Sequence, residues 1–156
     1  MSKILRIGGK DPSENLKGIA VDENGNVITG GNSQGFLLAS AARTTGASSA
    51  LQTNFACKGV LIWLNVTAAS GTGGLKVVVH GVDPISGLGG YLNPEPVPIN
   101  SVRLTGYVIY PGIADAIGGT TIKQTSSVVL PRIWYIHVFH VDSSSYTYSV
   151  SYSYLL

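Results

Sequence analysis

The sequence predicts an all-β protein: an antiparallel β-sandwich of jelly-roll topology, preceded by an extended N-terminal arm that carries a short β-hairpin. Three observations predict it. Near the C-terminus, Tyr146, Tyr148, Val150, Tyr152, Tyr154 and Leu156 fall on one side of an extended chain, and Thr147, Ser149, Ser151 and Ser153 on the other. That is the period of two of a half-buried strand. From residue 36 onward, short strand-prone runs recur between turns rich in Gly and Pro, with no apolar period of 3.6. The chain is only 12% charged and holds 20 glycines, where a typical globular protein is roughly 25% charged. An immunoglobulin-like sandwich is the second topology this spacing allows.

The arm is residues 1–34 and the sandwich residues 35–156. Lys3, Arg6, Lys10, Asp11, Glu14, Lys17, Asp22 and Glu23 make the arm denser in charge than the rest. Within it, two apolar runs, residues 18–21 and 27–29, flank Asp22-Glu23-Asn24-Gly25-Asn26, and Asn-Gly is the strongest short signal for a hairpin turn. A lone two-stranded hairpin is marginal in water, so the arm must lean on something. Gly30, Gly31 and Gly35 are expected to act as a hinge.

Strands are expected at residues 36–43, 60–64, 75–82, 104–110, 121–126, 133–141 and 146–156, with residues 46–49, 70–74, 83–87 and 114–119 as loops or turns. Val60-Leu61-Ile62-Trp63-Leu64 is apolar throughout and predicts a strand covered on both faces. In residues 75–82, Leu75, Val77 and Val79 oppose Lys76, Val78 and His80. Pro94, Pro96 and Pro98 cannot donate to a ladder, which makes residues 88–100 a surface loop or a sheet edge. Asp142-Ser143-Ser144-Ser145 reads as the turn of a hairpin joining the last two strands, because these side chains bond their own backbone.

One domain with a real core, plus an arm, fits 156 residues. A net charge of +2 gives little colloidal repulsion, and a weakly charged, partly apolar surface favours life in an assembly. The basic excess is too small and scattered for nucleic acid. Cys57 is the single cysteine, so no intrachain disulfide can form and burial is its expected role. No apolar run reaches the roughly 18 residues of a membrane helix, and residues 1–10 lack the core of a secretion signal. The expectation is a soluble protein made in the cytoplasm.

No arrangement of residues announces a chemistry, and neither an enzyme nor a cofactor is expected. His137 and His140 stand three apart in a strand and point to opposite faces, so they cannot share one metal ion. His80 has no neighbouring ligand in sequence. Asp83 and Asp142 sit at turns, where capping outweighs catalysis. Gly71-Thr72-Gly73-Gly74 lies between strands and lacks the following helix that makes such loops bind phosphate. Asn65-Val66-Thr67 matches a glycosylation acceptor by chance. The tyrosine ladder could stack on sugar rings, but packing in a core or between subunits is the preferred role for Tyr146, Tyr148, Tyr152 and Tyr154, together with Trp63 and Trp134.

Three stretches resemble the head decoration, or cement, proteins and related head-surface proteins of tailed bacteriophages. One runs from Lys58-Gly59-Val60-Leu61-Ile62-Trp63-Leu64 through Gly73-Gly74-Leu75 to Asp83-Pro84-Ile85-Ser86-Gly87. A second is Leu130-Pro131-Arg132 with Trp134, then Asp142 to Ser149. The third is Gly9-Lys10-Asp11-Pro12-Ser13 through Asp22-Glu23-Asn24-Gly25-Asn26. The resemblance implies a β-sandwich that assembles as a homotrimer on the capsid exterior, at three-fold or quasi-three-fold positions, and clamps neighbouring major capsid proteins. The arm would be the part lent to neighbours, with Lys3, Arg6, Lys10, Asp11, Lys17, Ile19, Val21, Asn24, Gly25 and Val27 as attachment residues. The virion would be its place, after synthesis in the host cytoplasm. The competing expectation is a receptor- or carbohydrate-binding module of a head or tail fibre.

Overall fold

The structure is a computed structural model that describes residues 9–10, 16–17 and 34–156. The chain divides into two units, Met1–Ser33 and Gln34–Leu156. In the first, β1 (Gly9–Lys10) pairs antiparallel with β2 (Leu16–Lys17), Gly9 opposite Lys17 and Lys10 opposite Leu16.

The second unit is all-β, two sheets packed as a β-sandwich. In chain order its strands are β3 (Gln34–Arg43), β4 (Ala47–Ser48), β5 (Gln52–Thr53), β6 (Gly59–Ala69), β7 (Leu75–Val82), β8 (Gly89–Tyr91), β9 (Arg103–Ile109), β10 (Ala116–Ile117), β11 (Ile122–Ser126), β12 (Ile133–His140) and β13 (Tyr146–Leu155). One sheet has the order β10-β11-β9-β6-β13-β3, the other β4-β12-β7-β8, with β5 also paired to β12. Pairing is antiparallel except between β9 and β11, which run parallel, a departure from the wholly antiparallel expectation.

The expected C-terminal hairpin does not form. β12 lies in the smaller sheet against β7, while β13 lies in the larger one between β6 and β3. Residues 141–145 are therefore an arch that crosses between sheets, and residues 70–74 make the same crossing between β6 and β7. The two arches hold each other. The Gly73 and Ser144 amides donate to the Asp142 carboxylate, at 2.7 and 3.1 Å, and the Gly74 amide donates to the Tyr146 hydroxyl at 2.8 Å. Ser70 and Ser145 exchange backbone and hydroxyl bonds. An arch lets both flanking strands turn an apolar face toward the same core, whereas a hairpin would put them side by side in one sheet. Gly74 sits at φ 86, where a Cβ would stand 2.9 Å from the Ile99 carbonyl, so glycine is required there.

The core lies between the sheets. Val60, Ile62, Leu64 and Val66 of β6, Tyr146, Tyr148, Val150 and Tyr154 of β13, and Tyr107 and Ile109 of β9 face Leu75, Val77 and Val79 of β7 and Trp134, Ile136 and Val138 of β12. Each fully buried large side chain contributes about 1.5–3 kcal/mol of transfer free energy. β6 is covered on one face only, contrary to expectation, because Leu61 and Trp63 on its other face remain partly open. Gly35 is not a hinge residue: it is paired with Tyr152 inside β3. Gly30 and Gly31 lie outside the described residues.

The proline-rich stretch closes one side of the sandwich. β7 needs partners beyond β8, and Asn93 supplies them in place of a backbone: its side chain accepts from the Val79 amide at 2.8 Å and donates to the Val77 carbonyl at 3.1 Å. It also donates to Gln124 of β11 at 2.9 Å, and Gln124 in turn donates to the Pro94 carbonyl. A carboxamide offers a donor and an acceptor side by side, as a peptide group does, so the ladder continues where proline cannot donate.

Candidate functional site

Of the arm residues expected to mediate attachment, Lys3, Arg6, Asp11, Ile19, Val21, Asn24, Gly25 and Val27 lie outside the described residues, as does the Asn24-Gly25 turn. Lys10 and Lys17 stand at the ends of β1 and β2. The structure gathers the aromatic residues instead. Trp134, Tyr146, Tyr148 and Tyr154 are in the core and Tyr152 is half-buried beside them. The Trp134 indole N–H donates to the Tyr154 hydroxyl at 3.0 Å, which donates to the Thr53 carbonyl at 3.1 Å. One relay thus ties β12, β13 and β5 together.

Trp63 is elsewhere. It lies on the outer face of the larger sheet, in a row that runs across five strands: Phe36, Ser151, Trp63, Gly106 and Ile122. A Cβ at Gly106 would meet the Trp63 ring at 2.9 Å, so the indole lies over this glycine. The next row is Gln34, Ser153, Leu61 and Val108. On β13, β6 and β9 this face carries no charged side chain. Its hydroxyls come from the serine half of the alternation in β13 and its apolar groups from β6 and β9.

The outer face of the smaller sheet carries a cluster that sequence reasoning missed. His80 of β7 pairs with Tyr135 of β12 and Tyr91 of β8. Its ring stacks on Tyr135, with centroids 4.5 Å apart and planes 6° apart, and meets Tyr91 edge-on at 4.9 Å. His137 sits on the same face opposite Val78 and bonds to the Ser48 hydroxyl at 2.7 Å. Register across β7 and β12 brings His80 and His137 onto one face, and no local spacing signals it. His140 points to the opposite face and packs against Tyr146 and Tyr148. Among the described residues, no group of three or more His, Cys, Asp or Glu is placed to hold a metal ion.

His80 is only 8% exposed, and neither ring nitrogen has a partner among the described residues. Burial holds its pKa below the ordinary histidine value, and the charge of His137 lowers it further. Burial lowers His137 and His140 in the same direction. The unfolded chain therefore binds protons more readily than the folded one below about pH 6.5. Stability should be full above that pH and decline as pH falls from it toward the folded-state values. Replacing His80 with Phe keeps a ring on Tyr135 and removes one titration, so the slope of melting temperature against pH should flatten. Equal slopes in parent and variant would contradict this origin.

The site has hydrogen-bonding, stacking and packing capacity on its two outer faces. The Ser48 hydroxyl and the His137 ring form the one hydroxyl–imidazole contact described on the outer face of the smaller sheet. Tyr107, buried with its hydroxyl unpartnered among the described residues, is held well above the ordinary tyrosine range by burial and stays neutral. Asp142 is held below the ordinary carboxylate range by the Gly73 amide first, which fits its role as arch brace. Comparison with family models, with curated proteins and with solved structures yields no match.

Proposed function

We propose that this chain is a structural protein of a tailed-phage virion, which decorates and stabilises the capsid exterior as a homotrimer bound to major capsid proteins. The observation that carries the reading is the outer face of the larger sheet. Phe36 is 72% exposed there, in a face shared with Trp63, Leu61 and Val108, with serines between them and no charged side chain on this face of the three central strands. Such a face resembles the apolar, charge-depleted centre of a subunit interface. The sequence resemblance in residues 58–87 and 130–149 points the same way, and much of its content is the pair of arches that joins the two sheets.

We further propose jelly-roll topology. Supporting it, the eight main strands are ordered β3-β13-β6-β9 in one sheet and β4-β12-β7-β8 in the other, all antiparallel. Apart from the paired β7 and β8, successive main strands pass between the sheets in the manner of two interleaved Greek keys, and β10 and β11 extend one edge. A fold of this kind hosts many functions, so it agrees with the reading without carrying it.

Light scattering on the purified chain should give the mass of three chains, and mixing it with undecorated capsids should raise their melting temperature. A monomer that leaves the capsid transition unmoved would overturn the proposal, and binding to host cells in place of capsids would favour the receptor-binding alternative.

A further inference from the structure

We propose that the sandwich carries a binding site for a neutral pyranose sugar, in the cleft between β7, the end of β12 and the proline-rich stretch after β8. The cleft measures about 530 Å³, within the span of roughly 300–1,000 Å³ that small-molecule sites occupy. Its walls are Tyr91 of β8, Phe139 of β12, Val78 of β7 and Pro96. Tyr91 is 70% and Phe139 40% exposed, so two aromatic rings border one concavity and stay open to a ligand.

The charged groups lining the cleft form one ion pair. Lys76 Nζ lies 2.5 Å from Glu95 Oε1, and Lys76 is paired across the ladder with Phe139. The pair puts donors and acceptors side by side with no net charge. A pyranose matches this combination. Its C–H face packs on an aromatic ring, and its hydroxyls each donate and accept, so adjacent ones can bond the ammonium and the carboxylate together. A wholly apolar ligand would strip water from both charged groups and return no hydrogen bond. An anion would bring its charge against Glu95. An added peptide strand would need ladder donors along residues 94–98, where Pro94, Pro96 and Pro98 provide none. Asn93 lines the cleft too, but its amide is committed to β7 and Gln124. His140 also borders it, with Nδ1 buried and without a partner among the described residues.

This site is separate from the proposed attachment to capsids, and either can fail without the other. The test is saturation-transfer NMR on the full chain with chitotriose and maltotriose as neutral probes and galacturonic acid as the charged comparator. Transfer to ring protons of at least one neutral sugar is expected. Binding should weaken about tenfold or more, the equivalent of roughly one lost hydrogen bond or stacking contact, in Tyr91→Ala and in Glu95→Ala. Both positions are highly exposed, Glu95 at 82%, so both variants keep the fold. Phe55→Ala, outside the cleft, should bind as the parent does. No transfer to either neutral sugar, undiminished transfer in both cleft variants, or preference for galacturonic acid would each overturn the proposal.

Discussion

Trp134→Ala is expected to destabilise the sandwich by about 3–5 kcal/mol, which for a chain of this length lowers the melting temperature on the order of 10 °C. The indole is fully buried. It packs edge-on against Tyr152 and Tyr154, with centroids 5.8 and 5.9 Å away, and its N–H feeds the relay through Tyr154 to the Thr53 carbonyl. Truncation leaves a cavity between the sheets and strips the Tyr154 hydroxyl of a donor. Trp63→Ala is the informative comparison. That ring is only partly covered, so the loss of stability in the isolated chain should be smaller, about 1–2 kcal/mol, while association of the proposed trimer should weaken. Equal losses from the two substitutions, read by denaturant unfolding, would contradict the placement of Trp63 outside the core.

The second large effect concerns the arm. Under the proposed function, deleting residues 1–30 should leave a folded, trimeric sandwich that has lost capsid binding by roughly 100-fold or more. The argument is one of multivalency: an extended arm that adds strands to a neighbour gains main-chain hydrogen bonds but loses conformational freedom on binding. A single arm is therefore weak. Three arms on one trimer raise the effective concentration of each for its site, and avidity supplies the difference. Pelleting of the truncated protein with capsids measures it directly. Undiminished binding would assign attachment to the sandwich, with the face around Phe36 and Trp63 as the first place to look.

Much of the fold was legible because strand alternation is a local signal. The Tyr/Ser alternation in β13 was enough to say that one face is buried, and the placement of Leu75, Val77 and Val79 on one face of β7 followed from the same rule. What failed depended on partners distant in sequence. Residues 142–145 looked like a hairpin turn because Asp and Ser cap their own backbone. Asp142 does cap Ser144, but it also reaches Gly73 in the other arch, and no local pattern reports that second partner. β6 looked covered on both faces because Leu61 and Trp63 are apolar. Their outer position becomes apparent only through pairing with Ser153 and Ser151 of β13. His80 has no partner nearby in sequence, and its neighbours Tyr135 and His137 arrive through the β7–β12 register. Even the cleft follows from this: Tyr91, Glu95 and Phe139 belong to three separate stretches.

Electron microscopy of the intact virion tests the central claim most directly. The account predicts three sandwich-shaped densities around three-fold or quasi-three-fold positions on the outside of the capsid, each contacting major capsid proteins. Density for this chain confined to the tail or its fibres, with those capsid positions bare, would contradict it.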